Sequence, residues 1–141
     1  MRLFHWTREH AVFQPEFDAE HRELFRLGEE LHRAVEAGAD PQTTHETMRL
    51  LITELEAHFA HEERLMRSLR YSGYAWHKKQ HDAARRQIEA LAAVAGKGDT
   101  AAPLDLLRYL SSWFRDHTAV ADRMMASALR NAGRGRAAVA S

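Results

Sequence analysis

At 141 residues the chain is long enough for one domain with a real core and too short for two. Lys+Arg and Asp+Glu cancel at 20 each, so no basic face is implied, and neither nucleic acid nor an anionic membrane is an expected partner. The absence of cysteine excludes disulfides, iron–sulfur clusters and thiolate zinc sites, whereas ten histidines is an abnormally high count.

Residues 1–15 read as an extended arm with aromatic anchors at Phe4, Trp6 and Phe13. The arm lacks the apolar stretch of a secretion signal, and no run of 18 apolar residues occurs further on, so a soluble, cytoplasmic protein is expected. A first helix is predicted over 16–37, with Glu16 and Asp18 in its first turn, where the helix dipole favours acids, and Gly38 as its stop. Asp40 and Pro41 then supply an N-cap and a proline at the first helical position, opening a second helix over 41–69. The turn YSGY (71–74) leads into a third helix over 74–95. Gly96, Gly98 and Pro103 bracket the next connection, and a fourth helix follows over 103–129. Residues 133–141 have no apolar period and are expected to form a disordered tail behind a domain of residues 1–132. Short loops between long helices predict an all-α, antiparallel up-down-up-down four-helix bundle.

Charged and imidazole side chains interrupt the apolar lines of all four helices. His58 and Glu62 interrupt the line of Met48, Leu51, Leu55, Leu65 and Leu69. His77 and His81 lie on the line of Tyr74, Ala84, Ile88, Leu91 and Ala95, one turn apart. The fourth helix reads Leu106, Leu110, Trp113, His117, Val120, Met124. Asp122 falls on the neighbouring stripe with Phe114 and Met125, about 140° round from His117 in a regular helix. His21 precedes Leu24 and Phe25 by one turn, ahead of Leu27 and Leu31.

A lone histidine on such a stripe is more often a core residue bonded to a backbone carbonyl than a ligand, and an isolated HxxxE or HxxxH is weak evidence. Seven such groups together are another matter. Each would cost about 2–7 kcal/mol to bury unpaired, against a net stability of about 5–15 kcal/mol for a domain of this size. Imidazole with carboxylate is a transition-metal donor set, so a metal centre in the core is the expected compensation. The other histidines need no such role: His5 and His10 lie in the arm, and His32, His45 and His61 are expected on the surface. Met48, Met66, Met124 and Met125 read as core filling.

Seven donors exceed the needs of one ion and suit two ions sharing carboxylates. Five neutral imidazoles and two carboxylates fit iron. Ferritin-type di-iron bundles use a Glu-dominated set with two Glu-x-x-His pairs, which is absent here. Two-metal zinc hydrolysis is disfavoured, because a core sealed by Leu, Trp and Phe is a poor place for a large substrate.

The strings FDAEH (17–21), HFAHEERLM (58–66), YSGYAWHKKQH (71–81) and WFRDHTAVAD (113–122) resemble the hemerythrins of the bacterial single-domain type, over roughly residues 6 to 125. Trp6, Met66, Tyr71 and Trp113 also fit the family's habits. The resemblance implies two irons bridged by an oxo or hydroxo group. His77, His81 and His117 would hold one, His21 and His58 the other, and Glu62 and Asp122 would bridge them. It further implies reversible binding of dioxygen at the iron with two histidines, for storage, delivery or sensing. Reduction of nitric oxide or peroxide at the same open position is the alternative. Trp113, Phe114, Thr118 and Ala84 are the candidate lining of the oxygen pocket. The chain departs from the family at Glu20 (often Gln), Ser72 (often Pro), Thr118 (usually branched and apolar) and Ala84 (often Phe). The last two changes remove bulk beside the proposed irons, which favours faster autoxidation.

Overall fold

The computed structural model describes Phe4 and residues 6–140, with side chains up to Gly133; His5 lies outside the described residues. After a 3-10 turn at Arg8–His10 come helices α1 (Pro15–Glu36), α2 (Pro41–Ser68), α3 (Tyr74–Gly96) and α4 (Ala102–His117). A single π turn (Thr118–Asp122) joins α4 to α5 (Arg123–Ala140), so the last three pieces make one rod of a four-helix bundle. No strand occurs among the described residues, and no helix there is long and apolar enough to cross a membrane.

Local chemistry sets the helix ends. Asp40 accepts a hydrogen bond from the Thr43 amide at 2.9 Å, capping α2 with Pro41 in its first turn. Gly38 sits at φ 67°, and the amide of Ala39 reaches back to the Ala34 carbonyl at 3.0 Å while that of Gly38 reaches Val35. That is the Schellman closure the glycine predicts. Gly98 (φ 96°) closes α3 in the same way, with the Asp99 amide on Val94. Arg70 does so for α2 at φ 52°, a conformation that a side chain resists.

The core is Phe4, Leu24, Phe25, Leu27, Leu31, Met48, Leu51, Leu55, Phe59, Ala84, Ile88, Leu106, Leu107, Leu110 and Phe114. Phe4 stacks on Phe25, ring centroids 4.2 Å apart, and a Cβ built on Gly28 would collide with the Phe4 ring. Gly28 is thus the notch in α1 that receives the arm.

Three expectations are corrected. Phe13 is not an anchor: at φ 62° its ring turns outward, 67 % exposed, and Val12 takes the inside position with its amide on Asp18 at 2.8 Å. The last helix does not stop near Leu129 ahead of an irregular tail; its backbone continues to Ala140, through an alanine-rich stretch whose propensity outweighs its glycines. Val120 and Met124 are exposed rather than core, because the π turn adds one residue to the rod and rotates the residues beyond it. Ala121, Asp122, Met125 and Ala126 are buried in their place.

Candidate metal centre

All seven predicted residues converge midway along the bundle, each on the inner face of its rod. His21 comes from α1, His58 and Glu62 from α2, His77 and His81 from α3, and His117 and Asp122 from the fourth rod. All are buried, at 0–4 % exposure. The π turn matters most for Asp122. In a regular helix it would point well away from His117, whereas one wider i→i+5 turn brings the residue five positions on back over the starting face.

The imidazole Nε2 atoms all face inward. His21 and His58 present theirs to each other at 2.9 Å, and His77 and His117 at 3.1 Å. The carboxylates lie between the pairs. Asp122 Oδ1 is 3.0 Å from His117 Nε2 and 3.1 Å from His77 Nε2, with Oδ2 3.5 Å from His21 Nε2. Glu62 Oε1 is 3.1 Å from His81 Nε2, 3.6 Å from His58 Nε2 and 3.7 Å from His77 Nε2. Despite this crowding, both oxygens of Glu62, both of Asp122 and Nε2 of His81 make no hydrogen bond. Five buried polar atoms aimed into one space without partners are what a cation would satisfy. The donors fall into two sets that share Glu62: Glu62, His77, His81, His117 and Asp122, and His21, His58 and Glu62. Neutral nitrogens with carboxylate oxygens fit two borderline-hard cations better than one.

Burial alone would protonate these carboxylates, and for Glu62 the neighbouring Asp122 adds to that push. His58, His77 and His81 outweigh both and hold the Glu62 carboxyl below the usual range. For Asp122 the opposing groups are His117, His77 and His21, and they hold it well below its ordinary value.

Behind the inward ring is an outer layer of which the sequence singled out only Glu20, and not as a partner of these imidazoles. His81 donates from Nδ1 to Glu63 Oε2 at 2.8 Å, and Arg85 holds the same oxygen at 2.8 Å. His117 donates from Nδ1 to Gln80 Oε1 at 2.8 Å. His58 donates to Glu20 Oε1 and His61 to Glu20 Oε2, both at 2.6 Å. Such partners fix the tautomer and aim of each ring. Glu63 is one residue past Glu62, where a helical glutamate is usually solvent-facing, and no signal in the sequence sets it apart. His61 is not the exposed bystander expected, since its side chain is 22 % exposed and bridges Glu20 and Glu16. His32 and His45 are likewise half-buried.

The candidate pocket residues divide between the two sides. Phe114 lies against His21, ring centroids 6.0 Å apart, and is fully buried. Trp113 instead stacks on His117 at 4.2 Å and meets Phe59 edge-on, covering the side of the three histidines. Thr118 is buried, and its hydroxyl donates to the Phe114 carbonyl at 2.6 Å. Ala84 is buried one turn beyond His81.

A helical bundle with such a centre defines a class of cation-binding bundle proteins, and comparison identifies the family. The family model described as the hemerythrin HHE cation binding domain matches residues 12–129. The chain is 29 % identical over 116 residues to the bacteriohemerythrin of Aquifex aeolicus (strain VF5), covering 79 % of this chain and 86 % of that one. It is 27 % identical over 119 residues to the myohemerythrin of Sipunculus nudus, covering 83 % and 86 %. The chain belongs to the hemerythrin family.

Proposed function

We propose that this chain holds two iron ions and binds dioxygen reversibly, as a cytoplasmic store, carrier or sensor. His77, His81 and His117 would hold one ion and His21 and His58 the other, with Glu62 and Asp122 available to both. The observation that carries this reading is the ring of unpartnered, inward-facing donors, four carboxylate oxygens among them. Two irons supply reversible two-electron chemistry toward dioxygen that no side chain here can supply.

The protein's part is placement and exclusion of water. Three imidazoles against two would leave the His21 side with fewer protein donors, and so with room for a small ligand. Phe114, Phe25 and Phe4 dry that side: Phe114 lies 5.6 Å from Phe25 and 6.0 Å from Phe4 by ring centroid. Phe59 stacks on His81 at 4.3 Å and closes the other side with Trp113. A dry pocket is what these side chains would contribute, since excluding water removes a source of protons next to the centre.

An iron count with a visible spectrum in air and after deoxygenation tests the reading. Two irons per chain and a colour that fades reversibly are expected. Stoichiometric zinc in a colourless protein would sink it. Steady turnover of nitric oxide or peroxide, lost when a ligand is deleted, would favour the enzymatic alternative.

A further inference from the structure

On the two-histidine side, the carboxylate of Glu20 stands between two imidazoles. Its Oε1 accepts from His58 Nδ1 and its Oε2 from His61 Nδ1, each at 2.6 Å, and His61 Nε2 lies 3.2 Å from Glu16 on the surface. The two nitrogens of His61 thus serve two different carboxylates. His61 thereby links Glu16 to Glu20, and a hydrogen-bonded chain leads from the surface inward to His58, although Glu16, Glu20 and His61 also lie close enough together to form a cation-sized cluster. Glu20, His58 and His61 form part of the wall of a surface cleft of about 430 Å³.

The outer partners on the other side are built differently. The charge of Glu63 is shared with Arg85, which holds the oxygen that accepts from His81. His117 meets only the neutral amide of Gln80. His58 alone among these three rings is backed by a carboxylate whose partners are all imidazoles. A glutamine in place of Glu20 would offer His58 the same hydrogen bond without the charge.

We propose that Glu20 is a positioning residue for the ion on the two-histidine side: it fixes His58 with Nε2 inward and, through its charge, strengthens that imidazole as a donor. His61 holds the carboxylate's aim. A full negative charge on the distal N–H gives the ring imidazolate character and tightens its bond to a cation. This inference rests on the reading of the centre given above.

The test titrates metal-free protein with Co²⁺, counting ions bound and following the visible bands of each site. Wild type is expected to bind two ions. Glu20→Gln, which keeps the shape and the hydrogen bond, should bind the ion of His77, His81 and His117 as before and the second ion about 10–100-fold more weakly. Melting of the metal-free variant should be unchanged. His61→Ala keeps the charge and loosens only its aim, so its loss should be smaller. Nitrogen-15 spectra of zinc-loaded wild type should show the His58 Nδ1 proton in a strong hydrogen bond, a signal that does not depend on any variant folding. The inference is overturned if Glu20→Gln binds both ions as wild type does, if both weaken together with a lower melting temperature, or if His61→Ala loses as much. Wild type binding fewer than two ions would remove the reading of the centre and this inference with it. Two ions in wild type with Glu20→Gln unchanged would remove this inference alone.

Discussion

Two imidazoles of the centre, His21 on one side and His77 on the other, respond to burial in opposite ways. His21, on the two-histidine side, is held down to about 4 by burial and by the facing His58. His77, on the other side, also loses solvent, but Asp122 and Glu62 outweigh the burial and push it up to about 9. The distances give the reason. Asp122 lies 3.0–3.1 Å from His117 and His77 but 3.5 Å from His21, and Glu62 lies 3.1 Å from His81 but 3.6 Å from His58. Both carboxylates make their shortest approach to a ring of the three-histidine side, Asp122 to His117 and Glu62 to His81, and in that sense lean toward it. Without metal, a proton on His77 balances part of their charge, while His21 presents a bare imidazole lone pair. Burial disfavours a proton on its neighbour His58, but Glu62, Glu20 and Asp122 outweigh it and raise that ring. A cation must therefore displace a proton on one side and meet none at His21 on the other.

Removing metal should produce the largest effect. A ligand that binds only the folded chain stabilises it by mass action, so stripping the ions should lower the melting temperature by about 10 °C or more. Glu62→Ala removes the donor common to both sides; it should lower melting and lose at least one ion. His32→Ala and His45→Ala, away from the centre, should leave the metal count at the wild-type value. Calorimetry with metal analysis checks all three, and equal metal loss from His32→Ala would show the donors to be wrongly assigned.

The contrast in proton affinity predicts the pH profile of the metal-free chain. His77 binds its proton more tightly folded than unfolded, so its contribution is fully present below about pH 6.5 and is lost as pH rises through about 9. His21 binds its proton less tightly folded, so the unfolded chain gains as pH falls from 6.5 through about 4. Melting of the metal-free protein should therefore peak near pH 6.5 and decline on both sides. Loading the centre should abolish the alkaline decline, because metal replaces the His77 proton. An alkaline limb of equal steepness with and without metal would contradict the carboxylate lean.

Thr118 bears on the two-histidine side through Phe114. Its hydroxyl is committed to the Phe114 carbonyl, so it braces the π turn and does not donate to solvent in the core. Thr118→Val keeps the shape and removes that bond, at a cost of about 1 kcal/mol. Thr118→Ile adds bulk next to His117 and should slow autoxidation by narrowing access. Identical decay of the oxygenated spectrum in wild type and Thr118→Ile would refute the access argument.

Much of this was legible in the chain because each signal had a local cause. Gly38 and Gly98 mark left-handed closures, Asp40 with Pro41 marks a start, and seven polar groups on apolar stripes mark a place where burial needs a compensating partner. Glu63 and Gln80 were not legible, since a polar residue on a long helix is by default a solvated one and only the fold reveals which ring it meets. Phe13 misled because its left-handed backbone reverses the direction of its side chain.

The fourth rod teaches most about where periodicity fails, and it yields the smallest expected effect. A regular 3.6-residue count places Val120 and Met124 on the line of Leu110 and His117, where a polar substitution should cost several kcal/mol, as for a large core side chain. The π turn instead leaves both 52 % exposed and hands the inner face to Ala121, Asp122 and Met125. Nothing in TAVAD announces the wider turn, because a π turn has no capping residue or glycine to mark it; only the need to bring Asp122 over His117 asks for one. Val120→Asn and Met124→Lys should therefore change stability by no more than about 0.5 kcal/mol and leave the metal content intact. Met125→Lys, one position along, should unfold the rod against Val12, Phe17 and Met66, with which it packs. Denaturant melts of the three variants decide it: a large loss for Val120→Asn or Met124→Lys, with Met125→Lys tolerated, would restore the regular helix and leave Asp122 facing away from His117.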